Sequence, residues 1–220
     1  MSLSGLPVPD GRRKEAGSRQ SERSGWSAKK MPMRKHPHRA PCPPPTFEEE
    51  ARLLARGHSL VAGLDEVGRG PIAGPVVAGV TALPPDLRAD WAGRIRDSKQ
   101  MTAAQREEIF PHILDGALVV GTGMSSPKEI DELGIVDATR LAMQRALESL
   151  PLLPQVLLLD AFPLPNVPIA QRAIVHGDSL CLSIAAASIV AKVTRDRMME
   201  DEDAAYPGYG FGGHKGYCTR

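Results

Sequence analysis

Residues 59–83 limit the fold more than any other stretch of this chain. Two apolar runs, "SLVAGLDEVG" and "GPVVAGVTAL", are joined by the short segment "RGPIA". Runs of this length and β-branched content, separated by glycine and proline, read as a strand pair with a turn between. The first run carries two adjacent acids, Asp65 and Glu66, inside an otherwise apolar strand. Neighbouring carboxylates repel unless a cation or a proton neutralises them. A chain that keeps such a pair in a core strand needs chemistry at that strand's end.

The rest of the body supplies partners for this pair. "TFEEEARLLARG" reads as a short helix, with Thr46 as its cap, acids at its positive end and Gly57 at its stop. "DSKQMTAAQREEIFPHIL" gives a loop and then a helix starting at Thr102, and "GALVVGTGMS" gives a strand. "SPKEIDELGIVDATRLAMQRALESL" has helical apolar spacing interrupted near Gly134, so two helices are expected. "QVLLLD" is a buried strand ending in Asp160. "DSLCLSIAAASIVAKVTRDRMMEDED" reads as one long helix opened by Asp178, with a small-residue face suited to close packing on a sheet. Strands that give way to alternating strands and helices imply an α/β domain with a central mixed β-sheet flanked by helices.

The N-terminal 45 residues differ in kind. They hold eight of the 20 prolines and ten Lys or Arg, against only Asp10, Glu15 and Glu22. The near-neutral chain total therefore hides a basic tail and an acidic body. Such a Pro-rich, basic segment cannot bury enough apolar surface to offset ordering, so residues 1–45 are expected to be a disordered extension with electrostatic affinity for nucleic acid. Residues 46–220 form the expected catalytic domain. No apolar run is long enough to span a bilayer, and no secretory signal pattern opens the chain. Cys42, Cys181 and Cys218 lack metal-site spacing and are odd in number, which fits a reducing cytoplasm.

Three sequence-distant acidic sites, Asp65–Glu66, Asp160 and Asp178, fall at element ends of one sheet. Their hard oxygen donors suit magnesium or manganese, and the matching chemistry is two-metal phosphodiester hydrolysis. A dinucleotide-binding reading of "GRGPIAG" fails, because that loop leads through Pro71 and Pro75 into a β-branched run instead of opening a helix.

The blocks "GLDEVGRGPIAGPVVAGV", "DSKQM", "LLLDAF", "GDSLCLSIAAASIVAKVTRDRMM" and "YPGYGFGGHKGY" resemble ribonuclease HII, in that order, from about Phe47 to Arg220. The resemblance implies a ribonuclease H-like fold and a metal-dependent endoribonuclease. Its substrates would be RNA–DNA hybrids and duplex DNA containing a ribonucleotide, cut 5′ of that ribonucleotide. It implies metal ligation by Asp65, Glu66, Asp160 and Asp178, with Mg2+ or Mn2+ as the cofactor. Substrate contacts would come from Gly68, Arg69 and Gly70 (near a ribose 2′-hydroxyl and a phosphate), from Ser98 and Lys99, and from Tyr217, whose ring packs on a sugar. Lys192 and Arg195 are open between nucleic-acid contacts and pairing with acids of the body, and His214 is left as a loop residue. The resemblance departs in two places. Family members continue past the position of Arg220 into further helical structure, and "AFPLP" follows Asp160 in place of the commoner Asp-Gly. A catalytically weak hybrid-binding protein is the alternative function. A monomer working in the cytoplasm, without membrane contact, is expected.

Overall fold

A computed structural model describes residues 43–160 and 163–219. The expectation of disorder for residues 1–45 lies almost entirely outside these described residues. Five strands form one sheet in the order β3-β2-β1-β4-β5, with β1 Val61–Val67, β2 Val76–Ala82, β3 Val119–Ser125, β4 Val156–Asp160 and β5 Ala170–Ile174. The first three strands pair antiparallel, whereas β1–β4 and β4–β5 pair parallel. The sheet is therefore mixed, as the element pattern requires.

Both faces of β1 are buried, each by a different helix. Ala62 and Leu64 pack with Ala142, Met143 and Ala146 of α4, Ile135–Glu148. On the other face runs α6, Leu182–Ala205, the longest helix described. It approaches closely because β1 and β2 carry Gly63 and Gly79 beneath it. A Cβ on Gly63 would collide with the backbone of Ser183 and Ile184, and one on Gly79 would lie 2.5 Å from the carbonyl of Ala187. Ala187 and Ala191, fully buried, complete the tight seam over Gly79. Each buried methyl of that seam contributes about 0.8 kcal/mol relative to exposure. A bulkier side chain at either glycine would push α6 off the sheet.

The remaining helices follow the sequence closely. Helix α2, Ala103–Gly116, starts with a complete capping box between Thr102 and Gln105. The break expected at Gly134 separates α3, Pro127–Leu133, from α4, and Gly134 has φ +78°. Two expectations are corrected. Helix α1, Glu48–Leu54, is preceded by Phe47, and Thr46 caps nothing. Thr46 instead forms a parallel bridge with Cys181, accepting from the Leu182 N–H and donating its own N–H to the Leu180 carbonyl. That bridge breaks the expected single long helix into α5, Gly177–Leu180, and α6, with Cys181 extended between them. Asp178 therefore sits within α5 and does not cap the long helix. The Glu50 carboxylate of α1 takes over that task, accepting from the Ser183 N–H (2.8 Å) and hydroxyl (2.6 Å).

Candidate active site

Parity along two parallel strands brings the first acids together. Val61 pairs with Val156 and Gly63 with Leu158, so Asp65 and Asp160 follow as the next residues on the face turned toward α5 and α6. Adjacent strands lie about 4.8 Å apart, which sets two carboxylates side by side at the strand ends. Strand β5 then returns the chain to the same edge, Ile174 being the register partner of Asp160. The Asp160 carboxylate accepts the Gly177 N–H at 2.9 Å and so fixes the turn that presents Asp178. Lys99 closes the group, its Nζ donating to Asp178 Oδ2 at 3.2 Å. Asp97 caps the 3-10 turn Ser98–Gln100 that carries this lysine. Glu66, of opposite parity, forms an ion pair with Arg69 at 3.0 Å.

The electrostatics match this crowding. Asp65 is 4% exposed. Burial first, then the charge of Glu66, push its carboxyl well above the usual range, and Asp160 adds to the shift while Lys99 opposes it. Asp160 is raised too, by burial and by the charge of Asp178, against the Gly177 N–H and Lys99. For Lys99, partial burial works against the charge, but Asp178, Asp97 and Asp65 outweigh it and raise its pKa. Among the described residues no three carboxylate, imidazole or thiolate groups are gathered into a ready-made cage. The acids form a row of repelling neighbours with one lysine paired into it. An all-oxygen row of this kind fits a hard divalent cation, which would relieve the repulsion that now favours protonation of Asp65.

Beyond β1 the chain turns into Gly68–Arg69–Gly70. Gly68 has φ +102°, and a Cβ there would strike the Pro75 carbonyl and lie 2.7 Å from Arg195 Nε. No other residue fits this position. Gly70 is bare toward Tyr217: a Cβ added to it would sit 3.6 Å from the tyrosine ring. Tyr217 is 46% exposed, so its ring borders both the loop and solvent. The loop and the tyrosine segment are joined by the Ile72 N–H, which donates to the Gly216 carbonyl at 3.0 Å.

Arg195 holds both sides of that junction. It is fully buried on α6, and donates to the carbonyls of Pro75 (2.8 Å), Ala73 (3.0 Å) and Lys215 (2.9 Å). Its guanidinium spends its donors on the loop and on the tyrosine segment, so the pairing with acids left open by the sequence does not occur. The available signal was its four-residue step from Ala191 and to Met199, both on the buried face of α6. Lys192 takes the other course and pairs with Asp196 at 2.6 Å. Of the Ser98–Lys99 pair only Lys99 is well exposed. Ser98 is buried, its N–H donating to Ser188 Oγ and its carbonyl accepting from Arg106. His214, expected in a loop, instead ends the one-turn helix Phe211–His214, and its hydrogen bonds go to backbone groups. Its Nδ1 accepts the Gly216 N–H, which leaves the proton on Nε2 to donate to the Tyr209 carbonyl at 2.8 Å.

Comparison with known proteins bears on this arrangement. The family model for ribonuclease HII matches residues 62–220. Ribonuclease HII of Dehalococcoides mccartyi (strain ATCC BAA-2266 / KCTC 15142 / 195) is 51% identical over 175 residues, 80% of this chain and 83% of its own length. Ribonuclease HII of Geobacter sulfurreducens is 48% identical over 174 residues, 79% of each chain. The crystal structure of ribonuclease H2 from Pyrococcus horikoshii OT3 is similar with a TM-score of 0.61 at 32% identity, over 73% of this chain and 81% of that one. The mixed sheet with helices on both faces is thus the ribonuclease H-like fold. A match across nearly three-quarters of the sequence, with half of all aligned residues identical in a relative, leaves one conclusion: this chain belongs to the ribonuclease HII family of ribonuclease H endonucleases.

Proposed function

We propose that this enzyme cuts duplex DNA on the 5′ side of an embedded ribonucleotide, as well as the RNA strand of RNA–DNA hybrids, with Asp65, Glu66, Asp160 and Asp178 as its metal ligands. The observation that carries the reading is the alignment of Asp65 with Asp160 at the ends of neighbouring strands, one turn of chain away from a glycine loop faced by Tyr217. Two magnesium or manganese ions held there would activate a water and stabilise the leaving oxygen. The chain's own groups supply the rest. Gly70 lacks a side chain where the loop borders Tyr217, so backbone groups can approach a ribose and meet its 2′-hydroxyl, the group that separates RNA from DNA. Arg69 and Lys99 are held at the rim by Glu66 and Asp178, and each can exchange its carboxylate for a phosphate as the substrate docks. The Tyr217 ring offers a flat apolar surface for the neighbouring sugar.

The enzyme is proposed to act as a cytoplasmic monomer; no described helix is long and apolar enough to cross a membrane. The test is incubation with a labelled DNA duplex containing one ribonucleotide, in magnesium, in manganese and with a chelator. The expected product ends in a 3′-hydroxyl on the deoxynucleotide preceding the ribonucleotide, and appears only with metal. Cutting that ignores the ribonucleotide, or that survives the chelator, would overturn the proposal.

A further inference from the structure

Ile72 is the most exposed large apolar side chain among the described residues, at 82%. An exposed isoleucine on a loose loop would mean little, since single surface apolar residues are common. This one is presented by a backbone tied on both sides. Its own N–H donates to the Gly216 carbonyl, and Arg195 holds the carbonyls of Ala73 and Pro75. Pro71 and Pro75 bracket it and restrict the chain further. A β-branched side chain has few rotamers to lose, so its contact surface is in place before any partner arrives.

Its position names the partner. Ile72 lies two residues beyond Gly70 and is hydrogen-bonded to the residue preceding Tyr217. It therefore extends the surface on which the proposed function seats the ribonucleotide and its neighbouring sugar. A duplex presents apolar sugar edges along its minor groove, and proteins meet that groove with aliphatic side chains. We propose that Ile72 is a duplex-binding contact, the apolar foot that rests on the sugar edges of the duplex beside the junction read by Gly70 and Tyr217. The inference rests on the reading of the glycine loop as the substrate surface. The contact is uncharged, so its contribution to affinity is independent of salt, unlike that of Arg69 and Lys99.

The test compares Ile72→Ala, Ile72→Asp and Ile72→Leu with the wild type. Affinity for a labelled duplex carrying one ribonucleotide is followed by fluorescence anisotropy in chelator across a salt series, alongside kcat and KM in magnesium. Ile72→Ala should weaken binding about three- to tenfold, the loss of a few partly covered carbons. Ile72→Asp should weaken it more, and Ile72→Leu should restore it. In Ile72→Ala and Ile72→Leu the slope of log Kd against log salt should stay that of the wild type, because no phosphate contact is lost and no charge is added. The kcat at saturation should change by no more than about twofold, since uniform binding alone is removed. Wild-type affinity in Ile72→Ala or Ile72→Asp overturns the proposal, as does a changed salt slope in Ile72→Ala or a wild-type chain that fails to bind the duplex. A wild-type dimer in sedimentation that Ile72→Asp dissociates would assign the residue to a second copy instead. Ile72-dependent binding without cleavage would refute the proposed hydrolysis and leave this contact standing.

Discussion

Replacing Arg195 by methionine tests whether the glycine loop and the tyrosine segment are one unit. The side chain makes three hydrogen bonds from a charged donor to carbonyls, at 2.8, 2.9 and 3.0 Å. Bonds of this kind contribute about 1.5–3 kcal/mol each, and truncation leaves the acceptors to find water or stay unpaired. Some carbonyls recover water at the loop's outer side, so a total loss of about 3–5 kcal/mol follows. In a domain of this size that lowers Tm by about 6–20 °C, as read by calorimetry. The catalytic effect is separable. With the clamp gone, Gly70 and Tyr217 no longer share a fixed spacing, and a misplacement of about 1 Å costs on the order of a hundredfold in rate. The assay is kcat/KM on duplex with one ribonucleotide at a temperature where the variant is folded. Arg195→Lys keeps the charge but not the planar fork, and should recover only part of the loss. If Arg195→Met matched the wild type in both Tm and kcat/KM, the clamp argument would fail.

Further outcomes follow from the same geometry. Asp65→Asn and Asp160→Asn should each abolish magnesium-dependent turnover while Tm in chelator holds or rises, because a repelling charge is removed; near-wild-type rates would refute the ligand assignment. The raised pKa of Asp65 means the native state keeps a proton that the unfolded chain has released above about pH 4. Metal-free stability should therefore fall as pH climbs from the ordinary carboxylate value toward the raised one, and denaturant titrations should show this dependence weakened in Asp65→Asn. Tyr217→Ala should lose about ten- to a hundredfold in cleavage while metal binding, followed by calorimetry, persists. Glu50→Ala should lower stability by about 1–3 kcal/mol in urea titration, since it uncovers the start of α6.

The acids were legible because each stands out against its surroundings: Asp65 and Glu66 interrupt an apolar run, and Asp160 ends one. The antiparallel pair and the helix break at Gly134 were legible from period and glycine alone. Strand β5 was not. It is an edge strand whose Gln171 serves the backbone of Leu164 and Val167 and whose Arg172 pairs with Glu49, so no apolar alternation marks it. The break at Cys181 escaped for a different reason. Its cause, Thr46, lies far off in sequence, and local propensity favours an unbroken helix there. The role of Arg195 was hidden because its partners are carbonyls, which every residue has.

The pairing of β1 with both β2 and β4 also sets an order of assembly. Strands β1 and β2 form a hairpin from local contacts, β3 joins only after helix α2, and Val61 must wait for Val156 before its other edge is closed. Joining ends that far apart carries a larger entropic cost, and contacts of long sequence separation slow folding. Until that closure β1 offers an open edge, and Asp65 has neither Asp160 beside it nor Lys99 fixed by Asp178. A nascent chain emerging N-terminus first thus brings its acids together only when β4 and then α5 arrive, and the strand that covers the edge inviting mispairing is the one that carries Asp160.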